Sequence, residues 1–133
     1  MNWLAIFCAA AAYWVLGAIW YSVLFGKIWA AEIKCIPGDR AAPAPLEMAA
    51  KLISTFVSNL VAATAMAYLL QGAGIIDMER ALGLGAVVGI GFSITAITMT
   101  AIWESKSTKV WAIDASYNFF GCLLLAAILV SWR

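Results

Sequence analysis

The chain has 133 residues, of which 65% are apolar and only 11% charged, and its mean hydropathy is +0.96. A water-soluble domain of this length needs far more polar surface, so that class is excluded. The net charge of +1 also argues against nucleic acid as a partner, because phosphate binding needs a concentrated basic surface.

A helix crosses the hydrocarbon of a bilayer with about 20 mostly apolar residues, and four such stretches lie at 3–25, 46–70, 81–103 and 110–132. The predicted fold is all-α: a bundle of four transmembrane helices forming one domain over 1–133, with a loop and interfacial segment at 26–45. Short second and third loops make neighbouring helices antiparallel. The opening MNWLAIFCAAAAYW lacks a positive n-region, and its apolar run continues to Phe25, so it reads as the first membrane helix rather than a secretory leader. A lipoprotein reading of Cys8 fails because bulky Phe7 stands where a small residue is needed. In the first loop Trp29, Ile33 and Ile36 follow i, i+4, i+7, which suits either a short interfacial helix or an irregular extension of the first span. Pro37-Gly38-Asp39 and Pro43-Ala44-Pro45 break the rest, and Glu47 places an acid in the first turn of the second helix, where negative charge is favoured. Gln71-Gly72-Ala73-Gly74 ends that helix. Asp77 can cap the third, and residues 105–108 supply caps for the fourth.

Basic residues set the orientation. Lys27, Lys34, Arg40, Lys51, Lys106 and Lys109 lie on or beside loops one and three, against only Arg80 and Arg133 on the other face. By the positive-inside rule loops one and three are cytoplasmic and both termini outside. Trp3, Trp20, Tyr21, Trp29, Trp103, Trp111 and Trp132 all fall near helix ends, where rings with an apolar body and a polar atom anchor at the headgroup level.

The residues that carry most enzyme chemistry are missing. There is no histidine, which removes the usual metal ligand and the usual general base near neutral pH. The three cysteines show no CxxC spacing, and no phosphate loop or nucleophile beside a base is present. No catalytic residue, metal or cofactor is therefore expected, and an enzyme is the least supported class.

Polar groups inside a membrane helix are costly and usually face a bundle interior or a cavity. In the fourth span Asp114, Tyr117, Asn118, Gly121 and Cys122 share one helical face, and in the second Lys51, Thr55, Ser58, Asn59 and Ala62 do the same. Lys51 and Asp114 lie at similar depth from the cytoplasmic ends of their helices, which leaves room for an ion pair between them, with Glu47 one turn from Lys51 as a competitor. Glu104 closes the third helix on that side. The candidate cluster is thus Lys51, Asn59, Glu104, Asp114, Tyr117 and Asn118. It serves either as packing glue, through hydrogen bonds and mutual neutralisation, or as the lining of a small polar cavity. Gly85, Gly89 and Ser93 form a small-xxx-small stripe, extended by Ala96 and Thr100, that suits close helix packing.

Two further stretches echo each other, AIWYSVLFGKIWA (18–30) and AIWESKSTKVWA (101–112). Both read A-I-W-x-S, a spacer, then K-[I/V]-W-A, at the cytoplasmic ends of the first and third spans. A parallel duplication of helical hairpins produces this, and so does convergence on one membrane-exit solution.

The G-x-x-W-Y-S and F-G-K-x-W of the first hairpin, the glycine-rich third span, the Glu after it and the Tyr of the fourth span together form a pattern. In these elements the chain resembles the bacterial membrane-protein family known as domain of unknown function 1761, over nearly its whole length. The resemblance implies a small four-helix integral membrane protein without implying any biochemical activity, and the expected location is the bacterial inner membrane. Small multidrug resistance transporters are similar in length and helix number, but they couple protons through an acid in the first helix. The first span here has no Asp or Glu, so that mechanism does not carry over.

Two classes of function follow. One is a transporter or channel-like protein for a small molecule or ion, acting as an oligomer; the other is a non-catalytic accessory or scaffold subunit of a larger membrane complex. In both, the bilayer is the solvent and a homo-oligomer or larger complex the working form. The topology is checked by reporter fusions: a C-terminal alkaline phosphatase fusion should be active, and a fusion placed in loop three inactive.

Overall fold

The computed structural model describes residues 1–33 and 44–132. Among these are five helices and no strand: α1 (Trp3–Leu24), α2 (Gly26–Ile33), α3 (Pro45–Gly72), α4 (Met78–Trp103) and α5 (Thr108–Ser131). Lys34, Cys35, Ile36, Pro37, Arg40, Pro43 and Arg133 lie outside the described residues. All except α2 are long and apolar enough to cross a bilayer, so the chain is an all-α bundle of four spans.

Local chemistry fixes the helix starts. Asn2 caps α1, its Oδ1 accepting from the Ala5 N–H at 3.1 Å. Pro45 occupies the first turn of α3, where its missing N–H costs nothing. Asp77 caps α4 through the Arg80 N–H at 2.9 Å, and Ser107 caps α5 through the Val110 N–H at 3.2 Å. Between α3 and α4, Gly74 takes φ +63°, a left-handed conformation that glycine adopts without steric penalty.

The four spans are not equivalent. Helix α5 packs against each of the others, and 44% of its span is buried, against 11% for α4. Helix α1 packs on α3 and α5, whereas α3 and α4 barely touch beyond their connecting turn. The result is a closely packed α1–α5–α3 side with α4 applied to the outer flank of α5.

Close approach is made with glycine. Two antiparallel helices carry the same Tyr-x-x-x-Gly element, Tyr13 to Gly17 on α1 and Tyr117 to Gly121 on α5. Each tyrosine covers the other helix's glycine: a Cβ on Gly121 would come within 2.0 Å of the Tyr13 ring, and one on Gly17 within 2.8 Å of the Tyr117 hydroxyl. The two rings lie against each other with centroids 5.1 Å apart. On α4, Gly85 abuts the Cys122 carbonyl and Gly89 the Phe119 ring, and Ser93 Oγ lies 3.7 Å from Cys122 Sγ. The small stripe is thus the α4–α5 contact.

Its expected continuation through Ala96 and Thr100 does not hold. Both are exposed, and Ile97, Thr98 and Ala101 turn inward instead. The cause is a π-helical turn at Gly89–Ile94, which adds a residue to one turn and rotates everything beyond it relative to an unbroken α-helix. A second π turn, Trp20–Leu24, ends α1, with the Phe25 N–H donating to the Trp20 carbonyl at 3.0 Å.

Gly121→Ala should therefore lower stability by about 1–3 kcal/mol, as overpacking does where a buried ring cannot move aside. Gly83→Ala, which meets nothing within 4 Å, should change it by less than about 0.5 kcal/mol. Equilibrium unfolding in mixed micelles measures both.

Candidate functional site

Two polar sites are built on the inward face of α5. The first lies near the loop end of the bundle. The π turn that closes α1 aims the Tyr21 hydroxyl at Asp114, to whose Oδ1 it donates at 2.5 Å. Asn118 donates from Nδ2 to the Asp114 backbone carbonyl at 2.9 Å. The Trp20 indole N–H, one residue before Tyr21, donates to the Ile113 carbonyl at 3.1 Å. The neighbouring side chains Trp20 and Tyr21 therefore grip one turn of α5.

From this point a column of rings runs inward. Trp29 of α2 meets Tyr21 at 5.5 Å, Tyr21 meets Tyr117 at 5.3 Å, and Tyr117 meets Tyr13 at 5.1 Å. Offset and edge-on contacts of this kind each add roughly 0.5–1.5 kcal/mol beyond area burial. The column ends where the Tyr13 hydroxyl donates to Asn118 Oδ1 at 2.9 Å. Tyr117, buried in the middle, donates to the Tyr13 carbonyl at 3.4 Å.

The second site is a cavity of about 290 Å³ lined by α1, α3, α4 and α5 and open on one side. Its polar lining is Tyr13, Ser58, Asn59, Ser93, Asn118 and Cys122; its apolar lining includes Met66, Leu69, Val88 and Leu125. Counting about 1.5 Å per residue from the helix ends on the side of the termini, the polar groups lie roughly 14–22 Å deep, near the middle of a bilayer. Met66, Leu69 and Leu125 lie nearer that end. Among the described residues no Asp, Glu, Lys or Arg takes part in the lining.

Asn59 is the exceptional member. It is only 7% exposed, and its Nδ2 has no hydrogen-bond partner among the described residues. The Tyr117 hydroxyl lies close to the amide, but no hydrogen bond of normal geometry joins it to Nδ2. A buried donor left unpaired costs about 1–3 kcal/mol.

A further cavity of about 340 Å³ lies at the end of the bundle that holds the termini, lined in part by Asn2, Ile6, Leu70, Gln71 and Leu129. Met66 and Leu125 line the central cavity, and Leu70 and Leu129, one turn further along the same two helices, line this vestibule. The layer between them is packed: Ile6, Met66, Leu70 and Leu125 are each at most 3% exposed.

The expected cluster is only partly assembled. Asn59, Tyr117 and Asn118 meet in the interior, and Asp114 adjoins them through Asn118. Lys51 does not reach Asp114; it pairs with Glu47 at 3.0 Å on an exposed surface. Glu104 is also exposed and pairs with Lys106 at 3.2 Å. The physical reason is that equal depth is not equal direction. The first turns of α3 stand clear of α5, so Lys51, Thr55 and Ser58 are exposed, and the two hydroxyls bond the carbonyls of Lys51 and Ser54 on their own helix.

The aromatic anchors divide as well. Trp103 is 87% exposed, and Trp3 and Trp132 are exposed too. Trp111 turns inward to donate to Thr98 Oγ1 at 2.9 Å. Tyr21 and Trp29 belong to the column of rings described above, and Trp20 donates to the Ile113 carbonyl beside it. Tyr21 is the site residue that sequence reading placed elsewhere: it sits one residue after Trp20 at a helix end, but the π turn directs it to Asp114, the only acid on the inner face of a span among the described residues. Tyr13 is a further site residue, and the signal for it in the sequence is the Tyr-x-x-x-Gly spacing it shares with Tyr117. Among the described residues no group of His, Cys, Asp or Glu is arranged to hold a metal ion.

Four helices long and apolar enough to cross a bilayer, packed around a largely apolar core that holds one small polar cavity, define a membrane-type helical bundle. Within that class the chain belongs to the family described as protein of unknown function (DUF1761), whose model matches residues 4–130. No curated protein and no solved structure matches it.

Tyr21→Phe should destabilise the bundle by about 1–3 kcal/mol, because the Asp114 carboxyl loses a partner that water does not replace at this depth. Lys51→Gln should cost less than about 0.5 kcal/mol, the worth of an exposed i, i+4 pair. Unfolding of the two variants side by side separates the interior contact from the surface one.

Proposed function

We propose that the protein is a transporter or channel-like protein for a small solute, which rests in the central cavity on its way across the bilayer. The observation that carries this reading is the unpaired Asn59 amide at mid-depth. Pure packing glue would be fully paired, whereas an amide held unpaired against its own cost is what a binding position requires. The layer of Ile6, Met66, Leu70 and Leu125 is then the barrier to the vestibule at the termini. Repacking of flexible Met66 is the natural way to open it, since an unbranched thioether adapts to irregular space.

In this reading the chain sits in the bacterial inner membrane with loops one and three in the cytoplasm. Copies associate through α4, the least enclosed span. The scaffold alternative draws support from the same α4 face, which offers a large apolar surface to a neighbour.

Asn59→Leu distinguishes the two. Proteoliposomes of the wild-type chain should swell faster than protein-free liposomes when challenged with acetamide, glycerol or hexanamide, and the variant should return to the protein-free rate. Because Leu removes an unpaired donor, the variant should also unfold no more easily than the wild type, with a gain of up to about 1 kcal/mol. Wild-type swelling at the protein-free rate, or full activity in the variant, would favour the scaffold.

A further inference from the structure

The cavity has a direction of entry. Its exposed lining residues, Ser58, Ala65 and Leu69, all lie on α3, and α3 and α4 hardly touch outside their turn. The mouth therefore faces sideways, between α3 and α4. At this depth a sideways opening meets acyl chains rather than water. Toward the termini the packed Ile6, Met66, Leu70 and Leu125 layer closes the way, and along the α1–α5 seam the column of Tyr13, Tyr117 and Tyr21 does.

The lining is also graded. Amide and hydroxyl groups surround the mid-depth end, and Ala65, Met66, Leu69 and Leu125 surround the end nearer the termini. With no formal charge in the lining, a charged ligand would lose its hydration without gaining a counter-charge, which is prohibitive in hydrocarbon. An uncharged ligand pays no such penalty, and Asn59, whose Nδ2 lacks a hydrogen bond of normal geometry among the described residues, stands in the lining.

Resting on the reading above that this cavity binds a solute, we infer that it loads from the bilayer, between α3 and α4, and that its ligand is an uncharged single-chain amphiphile. The acceptor of the ligand's polar head meets Asn59, and its short chain lies along Met66, Leu69 and Leu125. A volume of about 290 Å³ suits such a molecule and is too small for a two-chain lipid.

Cys122 lines the cavity and serves as a reporter. The full chain carrying Cys8→Ala and Cys35→Ala, in phosphatidylcholine nanodiscs, keeps it as the single thiol. Bilayer-soluble N-octylmaleimide should label it at least roughly tenfold faster than a charged trimethylammonium methanethiosulfonate, because the charged reagent is excluded from hydrocarbon. Ala65→Trp, at the mouth, should slow the octyl reagent by a similar factor. Equal rates, faster labelling by the charged reagent, labelling by neither, or indifference to Ala65→Trp overturns lateral entry. Decanamide should slow N-octylmaleimide labelling about fivefold or more, an effect lost in Asn59→Leu, whereas decyltrimethylammonium should not slow it. Protection by both probes, by neither, or equally in Asn59→Leu overturns the assignment of ligand class. Solute flux that persists while Cys122 is labelled from water would leave the transport reading standing and remove only the entry route.

Discussion

The reciprocal seating of Tyr13 on Gly121 and Tyr117 on Gly17 is the contact on which the rest of the bundle depends. In lipid no hydrophobic force drives one apolar helix onto another, so association must come from close packing and interhelical hydrogen bonds. The exchange supplies both at once. Glycine lets the backbones approach, the rings fill the space that glycine leaves, and the Tyr13 hydroxyl fixes the register by reaching Asn118. Because the helices are antiparallel and the element is the same on each, a slip of one turn would lose both seatings together. Register is thereby specified twice over.

Everything polar in the interior hangs from this seam. With Tyr117 held over Gly17, Tyr21 one turn further along α1 comes edge-on to it and directs its hydroxyl to Asp114. With Tyr13 held over Gly121, Asn118 faces the central cavity while bonded on both sides of its amide. An acid and an amide on one face of α5 thus have different fates. Asp114 is satisfied at the edge by Tyr21, and Asn118 is shared between the seam and the cavity. Helix α4 adds the last wall, and its π turn delivers Ser93 to the cavity beside Cys122.

The sequence showed the four spans because apolar length alone decides them, and it showed the inward face of α5 because Asp114, Tyr117, Asn118, Gly121 and Cys122 keep an unbroken helical period. It could not show which face of α3 meets that stripe. Lys51 and Asp114 lie at similar depth on helices that diverge, and depth carries no information about direction. The π turns were equally hidden, since neither Gly89–Ile94 nor Trp20–Leu24 contains a proline or any other composition that marks the inserted residue. Their effect is large: one displaces Ala96 and Thr100 from the packing stripe, and the other turns Tyr21 from a headgroup anchor into the partner of Asp114. The echo of A-I-W-x-S suffers the same way, for Trp20 bonds the interior of α5 whereas Trp103 is 87% exposed. Like residues at like depth occupy unlike environments once a turn has been inserted.

The looseness between α3 and α4 belongs to the same physics. In water, a gap lined by Ala62, Ala65, Val88 and Leu125 would close, because burying apolar surface is favourable there. In a bilayer the gap costs little, because acyl chains solvate its apolar walls as well as a neighbouring helix would. The lipid cannot satisfy the amide at its inner end. Replacing Asn59 by an aliphatic residue of similar size would remove an unpaired donor from the middle of the membrane and disturb no hydrogen bond of its Nδ2. A bundle selected for packing alone gains nothing from that donor. Its place beside a cavity whose lining among the described residues holds neither acid nor base therefore sets Asn59 apart from the paired polar groups of the seam.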